Sequence, residues 1–304
     1  MQTILGTNGI IGRTLADELR QGGYTNDIRL VSRNPRKVNE ADRLMAADIT
    51  NPEQTLAAID GSEVVYLTAG LRYDIRVWQT EWPKIMDNVI EGCKRYNAKL
   101  VFFDNVYCYG HVDGWMTEDT PYNPESRKGE VRAIIATQLI TEYESGNIQA
   151  AIVRSADFYG PGASTSVFNM LAIDKLKKGQ KAQWLYNAET RHSMTYSTDA
   201  AKATAIIGNT PAAFNQTWHL PTDPHALSGR EYIELAATIL GIPPSFMVLK
   251  MWQLKLAGLF STTIRELSEL SYQNEYDYLF DSSKFQKQFG IKPTGYREGI
   301  ESCI

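Results

Sequence analysis

Cysteine, histidine, surplus positive charge and unbroken apolar runs are all scarce in this chain, and each scarcity removes a class of function. Thirty-five acidic residues against thirty-one basic ones give a formal net charge of −4, so no overall field draws nucleic acid or an anionic membrane to it. The three cysteines, Cys93, Cys108 and Cys303, are an odd number without C-x-x-C spacing. Neither a disulfide framework nor a structural zinc site follows from them, and a reducing cytoplasm is the expected location. Four histidines, no two at ligand spacing with a carboxylate, predict no metal centre. G-x-S-x-G is missing, which removes the nucleophile elbow of an α/β-hydrolase. The chain begins Met-Gln-Thr-Ile-Leu-Gly, without the basic and apolar regions of a secretory signal. Residues 246–260 are the longest greasy stretch, but Lys250 and Lys255 interrupt it and it falls short of the about 18 apolar residues of a membrane span. It reads as an amphipathic helix over 246–259, with a helix lying on a membrane surface as the sharper alternative.

What is present is material for a core: 43% of the 304 residues are hydrophobic and 22% charged, enough for one large α/β unit or two small ones. Short apolar runs at 3–5, 27–31, 64–68, 99–103 and 150–154 alternate with segments of helical period at 11–20, 78–96 and 130–144. Such an order predicts parallel strands joined by right-handed crossovers. Past Pro161-Gly162 the pattern loosens to a helix over 167–177, a strand near 217–220 and a helix over 229–240. The expected fold is α/β, a Rossmann-type doubly wound parallel sheet with a smaller, interleaved, mostly helical C-terminal substrate lobe. Residues 1–162, joined by 191–222, are assigned to the nucleotide-binding domain, and 163–190 with 223–304 to the lobe.

The segment Gly6-Thr7-Asn8-Gly9-Ile10-Ile11-Gly12 follows the first apolar run and opens a helix whose inward stripe is Ile11, Leu15 and Leu19. Gly6 permits a tight turn out of the strand, Gly9 lets the backbone approach a pyrophosphate, and Gly12 lets the helix pack closely on the sheet. The backbone around Asn8, Ile10 and Ile11, at the helix N-terminus, then receives the anion. This strand–turn–helix setting points to a dinucleotide site, the alternative being a glycine-rich turn of an unrelated α/β protein. The second strand ends Leu30-Val31-Ser32-Arg33-Asn34-Pro35-Arg36-Lys37, with no acid where a ribose 2′-hydroxyl would be bound. Ser32 and Arg33, with Arg36 or Lys37 nearby, offer a hydroxyl and a guanidinium to a 2′-phosphate, which favours NADP(H) over NAD(H); a solvated basic loop is the alternative. Asp48, with Ile49 beside it, is placed to accept from the adenine amino group, and Thr68-Ala69-Gly70 forms a small-residue floor.

At these residues and beyond, the chain resembles the extended branch of the short-chain dehydrogenase/reductase superfamily, which includes NAD-dependent epimerases and dehydratases. Val106-Tyr107-Cys108-Tyr109-Gly110 looks like its strand-end VYG region, Thr117-Glu118-Asp119-Thr120-Pro121 like its TEDTP loop, and Arg154 with Phe158-Tyr159-Gly160-Pro161-Gly162 like its R-x-x-x-x-YGPG segment. Arg191, Tyr196, Thr198 and Asp199 resemble the part that closes over substrate, and Phe280-Asp281-Ser282-Ser283-Lys284 with Phe289-Gly290-Ile291-Lys292-Pro293 resembles the usual ending. The departure lies in the catalytic set, which in active members is a Ser or Thr with Y-x-x-x-K. Set on that pattern, Ser126-Arg127-Lys128-Gly129-Glu130-Val131-Arg132 puts Lys128 at the tyrosine and Arg132 at the lysine. The Ser/Thr position falls on Asn105, or on Asp104 one residue earlier. The resemblance therefore implies an atypical site with Lys128, Arg132, Asn105 and Asp104 as its catalytic residues. It also implies Lys128 and Phe158 beside the cofactor, and Arg191, His192 and Tyr107 beside the substrate.

Lys128 and Arg132 project from one face of a predicted helix. They are read either as donors to ribose and phosphate oxygens, or with Lys128 as the proton carrier that tyrosine usually provides; pairing with Asp104 would oppose the second role. An exposed ion-pairing helix face is the plain alternative. The leading expectation is an NADP(H)-binding oxidoreductase or epimerase/dehydratase-like protein acting on a small molecule. A non-catalytic dinucleotide-binding sensor and an NAD-dependent nucleotide-sugar epimerase are the alternatives. The resemblance also implies homodimers through helices such as 78–96 and 130–144, with neither nucleic acid nor membrane as a partner.

Overall fold

Apolar side chains on both faces of a short strand belong to a parallel sheet that helices cover on each side. The computed structural model describes residues 1–258, 265, 266 and 268–304, and its chain groups into two units: residues 1–105, 130–155 and 200–220, and residues 106–129, 156–199 and 221–304. In the first unit β1 (Gln2–Leu5), β2 (Ile28–Ser32), β3 (Arg43–Ala46), β4 (Val64–Leu67), β5 (Lys99–Asp104), β6 (Ala150–Arg154) and β7 (Gln216–His219) form one seven-stranded sheet. Their order is β7-β6-β5-β4-β1-β2-β3, and every pairing is parallel. The expected Rossmann-type sheet is thus present. Gln2 of β1 pairs with Ile28 on one side and Val64 on the other, so chain order reverses between β1 and β4. That reversal is where such sheets bind ligands, outside the carboxyl ends of the strands.

The helices are α1 (Ile10–Gln21), α2 (Pro52–Ile59), α3 (Ile75–Tyr96), α4 (Arg127–Glu144) and α5 (Ser197–Gly208). α1 buries Ile11, Leu15 and Leu19 as the spacing predicts. β3 and α2 are harder to read from the sequence. β3 is an edge strand with mostly exposed side chains, and α2 is a single eight-residue helix that relies on Asn51, whose side chain accepts from the Gln54 N–H at 3.0 Å. α3 begins before the periodicity does, at Ile75, because Asp74 caps it through the Arg76 N–H at 3.0 Å. α4 likewise begins at Arg127 rather than 130: the Ser126 hydroxyl accepts from the Gly129 N–H at 3.0 Å, which brings Lys128 into the first helical turn.

The second unit consists of short strand pairs around an aromatic core of Tyr159, Phe168, Trp184, Tyr232 and Tyr296. Trp115–Met116 pairs with Leu279–Phe280, Asp157–Tyr159 with Met194–Tyr196, and Arg191–His192 with Leu227–Ser228. These pairings explain why 106–129, 156–162 and 191–199, assigned from sequence to the nucleotide-binding part, group here. Gly229–Leu240 is helical as expected, with Ser228 and Glu231 closing a capping box. The helix expected over 167–177 opens with a wider π-turn at Asn169–Ile173 before Asp174–Lys177.

The helix expected over 246–259 is corrected. Phe246–Leu249 is a strand parallel to Ala182–Leu185, and a helix follows at Met251–Gly258; Leu259 and Phe260 lie outside the described residues. A four-residue apolar run cannot distinguish strand from helix by period, and here an available strand edge decides it. Among the described residues no helix is long and apolar enough to cross a membrane.

Candidate functional site

Gly6 leaves β1 with a φ of 101°, and a Cβ on it would strike the Ala69 backbone. A Cβ on Gly12 would lie 2.9 Å from Thr68 Oγ1 and 3.0 Å from the Gly6 carbonyl oxygen. The strand exit, the start of α1 and the Thr68–Ala69 floor are therefore pressed together as only glycine permits. Gly9 differs, because a Cβ there meets only the Gly6 oxygen, at 3.9 Å. Gly9 is also the N-cap of α1; no side chain caps this helix, and its first turn holds no acid, so its leading N–H groups are left to an anion.

Ser32 ends β2 with its hydroxyl buried and without a protein partner among the described residues. Arg33 follows it, exposed. The Thr50 N–H, then the Thr50 hydroxyl and more weakly the Arg33 guanidinium hold the Asp48 carboxyl below the usual carboxylate range, so Arg33 and Asp48 share one neighbourhood. A cradle that Cβ atoms would fill, an uncapped helix start and an unmatched hydroxyl after β2 together fit a dinucleotide.

Asp104 closes β5, fully buried between two guanidinium groups: its Oδ1 accepts from Arg132 Nε at 2.7 Å and its Oδ2 from Arg154 Nε at 3.2 Å. The Arg132 guanidinium carbon lies 4.4 Å from the Trp82 ring centre and 5.1 Å from that of Phe102, a cation held on aromatic faces. Its Nη1 has no protein partner among the described residues. Asp104 therefore pairs with Arg132 rather than with Lys128. Asn105 follows it, partly exposed.

In the second unit the Lys128 side chain is 0% exposed, and its ammonium meets two carboxylates that follow the Met251–Gly258 helix. Nζ donates to Glu266 Oε2, to Glu269 Oε2 at 2.9 Å and, more weakly, to the Glu266 carbonyl at 3.4 Å. Glu269 Oε1 in turn accepts from the backbone N–H of Arg127 at 2.7 Å and from its Nε at 3.2 Å, fastening the start of α4. Burial alone would raise the Glu269 carboxyl, but the Lys128 ammonium and the Arg127 donors outweigh it and hold the group below its ordinary value. Glu269 thus gives up its proton more readily folded than unfolded. Its contribution to stability is whole above the ordinary glutamate value of about 4.3 and is lost as pH falls through the lower folded value. Glu269→Gln is expected to flatten the acid limb of melting temperature against pH; an acid limb that keeps its wild-type slope below about pH 4.3 would refute this.

The substrate candidates also stand in the second unit, each with partners of its own. Arg191 clasps Asp277 through Nε at 2.9 Å and Nη2 at 2.6 Å. His192 is buried with Nδ1 donating to the Gln273 carbonyl at 3.0 Å and Nε2 against Asp157 Oδ2 at 3.0 Å, its ring stacked 4.5 Å from that of Tyr278. Phe158 pairs with Thr195 on a short strand. Tyr107 opens a 3₁₀ turn whose backbone packs on Gly129, where a Cβ would fall 2.5 Å from the Tyr107 carbonyl oxygen. Sequence reasoning missed the carboxylates that engage Lys128, Arg191 and His192: Glu266, Glu269, Asp277 and Asp157. They lie 35 to 142 positions from their partners, and no local spacing marks them. Among the described residues no group of three or more His, Cys, Asp or Glu side chains is arranged to hold a metal.

Comparison with known proteins gives a family and a fold. The NAD dependent epimerase/dehydratase family matches residues 3–219. An uncharacterised protein of Sinorhizobium fredii is 24% identical over 213 residues, 64% of this chain and 57% of its own length; the match thus spans little more than half of that relative. A double mutant of a dTDP-glucose 4,6-dehydratase from Streptomyces venezuelae, solved with NAD, is similar at a TM-score of 0.81 and 14% identity, over 99% of this chain and 95% of that one. A Thermus thermophilus UDP-glucose 4-epimerase with NAD gives 0.78 and 17% over 99% and 97%. A Bacillus cereus UDP-glucuronic acid 4-epimerase with NAD gives 0.80 and 16% over 100% and 97%. At such identities the likeness to the solved structures is one of fold.

Proposed function

The chain belongs to the NAD dependent epimerase/dehydratase family, and from that premise we propose that it is an NADP(H)-binding oxidoreductase or epimerase/dehydratase-like protein of the extended short-chain type, acting on a small molecule through a substituted site. The turn at residues 6–12 carries this reading: it closes on Ala69 and Thr68 where Cβ atoms would clash, yet stays open at Gly9 before an uncapped helix. Gly6, Gly9 and Gly12, with the backbone at Asn8, Ile10 and Ile11, would hold the pyrophosphate. Asp48 and Ile49 would flank the adenine, and Thr68, Ala69 and Gly70 would form the floor. The unmatched Arg132 Nη1 supports Arg132 as a donor to the cofactor, with Phe158 and Lys128 also assigned to it. When bound, a nicotinamide dinucleotide supplies hydride donation or acceptance.

The solved relatives carry NAD. The preference for NADP(H) here rests on Ser32 and Arg33, which stand where an acid would select NAD. Arg33→Ala is expected to weaken NADPH about tenfold or more by calorimetry while leaving NADH nearly unchanged, since only NADPH carries the 2′-phosphate. Equal losses would remove that assignment, and no melting shift with either cofactor at millimolar concentration would remove the cofactor itself. On this reading Lys128 supplies the proton-transfer group in place of the family's tyrosine, while Asn105 and Asp104 occupy the Ser/Thr position. Tyr107, Arg191 and His192 are assigned to the substrate, the last two with Asp277 and Asp157 as partners. A dinucleotide sensor without turnover is the second reading, favoured by the ion pairs that engage Lys128 and Arg132. Tight cofactor binding with no NADPH oxidation on ketones, aldehydes or enones would select it.

A further inference from the structure

The second unit holds an open cavity of about 500 Å³ lined by Tyr186, Lys250, Met251, Trp252 and Glu275. That volume suits a small molecule. Backbone contacts fix its walls: the Tyr186 N–H donates to the Leu249 carbonyl at 3.0 Å, and the Lys250 N–H to Gln253 Oε1 at 2.8 Å, at the start of the Met251–Gly258 helix. Tyr186 has a φ of 60°, a left-handed conformation that a bulky side chain resists, and packs with Leu185 and Leu254. It is 7% exposed, yet its hydroxyl has no partner among the described residues. Burial, and after it the Glu275 carboxylate, push that hydroxyl up to about 12, so it keeps its proton at neutral pH, with Glu275 as its charged neighbour.

The Lys250 ammonium and the Glu275 carboxylate line the same cavity, but neither pairs with the other or with another described residue. Trp252 adds an indole that is 67% exposed. A buried hydroxyl without a partner, two unpaired charges of opposite sign and an uncovered aromatic face thus meet in one place.

We propose that this cavity binds an aromatic α-amino acid as its zwitterion, with Trp252 against the ring, Lys250 on the carboxylate, and Glu275 with the Tyr186 hydroxyl on the ammonium. Charge selects this class. A ligand of one sign is drawn by one wall charge and repelled by the other, whereas a zwitterion satisfies both. A nucleotide is disfavoured on the same ground, since its phosphate would find one ammonium and face a carboxylate in the same cavity. The indole gives a planar ring a stacking surface, and the Tyr186 oxygen can accept from an ammonium. A buried polar atom left unmatched is costly, so a ligand that supplies its partner gains affinity there. The site goes beyond the dinucleotide reading and does not depend on it, because all five residues belong to the second unit.

The test needs no cofactor. The whole chain is titrated by calorimetry with L-phenylalanine, with phenethylamine and 3-phenylpropionate, which carry the same ring and one charge each, and with uridine monophosphate. L-phenylalanine is expected to bind about fivefold more tightly than any of the other three. Lys250→Met should weaken L-phenylalanine and 3-phenylpropionate about fivefold and spare phenethylamine; Glu275→Gln should weaken L-phenylalanine and phenethylamine and spare 3-phenylpropionate. Trp252→Ala should weaken all three ring-bearing probes. Each variant is checked by melting temperature, and the four-probe comparison on the wild-type protein stands without any of them. No binding of L-phenylalanine at about 10 mM overturns the proposal. So does a single-charge probe or the nucleotide as the tightest ligand, or a loss of all probes alike in folded Lys250→Met and Glu275→Gln. A protein that binds L-phenylalanine but neither NADPH nor NADH would overturn the proposed function alone, and the reverse result would overturn this inference alone.

Discussion

Replacing Asp104 by alanine is expected to cost about 3–5 kcal/mol of stability, read as a lower urea midpoint at an unchanged slope. Asp104, Arg132 and Arg154 are each at most 4% exposed, and the single carboxylate bridges both guanidinium groups. Without it, two buried like charges on neighbouring elements lose the anion they share. The aromatic faces of Trp82 and Phe102 hold Arg132 only in part, because a cation–π contact is worth about 0.5–2 kcal/mol and cannot offset the removal of a buried counterion. Asp104→Asn should fall between wild type and alanine, since it keeps an acceptor and the shape but not the charge. Glu189→Ala, which opens an exposed pair with Arg230, should leave the midpoint nearly unchanged. If Asp104→Ala unfolds at the same urea concentration as wild type, the cluster is not what joins β5, β6 and α4.

Asp104 also marks how far the sequence can be read. The parallel sheet was legible because its strands are fully buried apolar runs, as at Val64–Leu67 and Ala150–Arg154, and because the glycines of residues 6–12 punctuate β1 and α1. β3 and α2 were faint for opposite reasons, one exposed at a sheet edge and the other short and dependent on a cap. The positions of Lys128 and Arg132 were legible from the resemblance, and so was their common helix. Their partners were not. One turn of helix carries Lys128 to Glu266 and Glu269 but Arg132 to Asp104, and such choices are set by segments distant in the chain. Spacing along a helix specifies a face; it does not specify which charge meets that face. For the same reason residues 246–249 misled: their apolar character was plain, but the strand edge at Ala182–Leu185 that recruits them lies more than 60 residues earlier.

The glycine turn yields the other large expected effect, as a contrast between two neighbouring substitutions. Gly6→Ala should destabilise the protein by about 3 kcal/mol or more, because alanine resists a φ of 101° and its methyl would collide with the Ala69 backbone, which cannot swing aside as a flexible side chain would. Gly9→Ala should cost about 1 kcal/mol or less without ligand, since its φ of −77° suits alanine and the nearest atom stands 3.9 Å from the new methyl. With ligand the order reverses in meaning. The Gly9 methyl projects into the open space before α1, where the pyrophosphate must come within hydrogen-bonding distance of the backbone, so NADPH affinity should fall about 100-fold, or about 2.7 kcal/mol. Loss of binding in Gly6→Ala alone would be ambiguous, because a damaged fold binds poorly for any reason; loss in a normally melting Gly9→Ala protein is not. Calorimetric titration of NADPH into Gly9→Ala therefore decides the matter. Wild-type affinity in that variant would mean that the dinucleotide does not lie on this turn, whatever the glycine spacing implies.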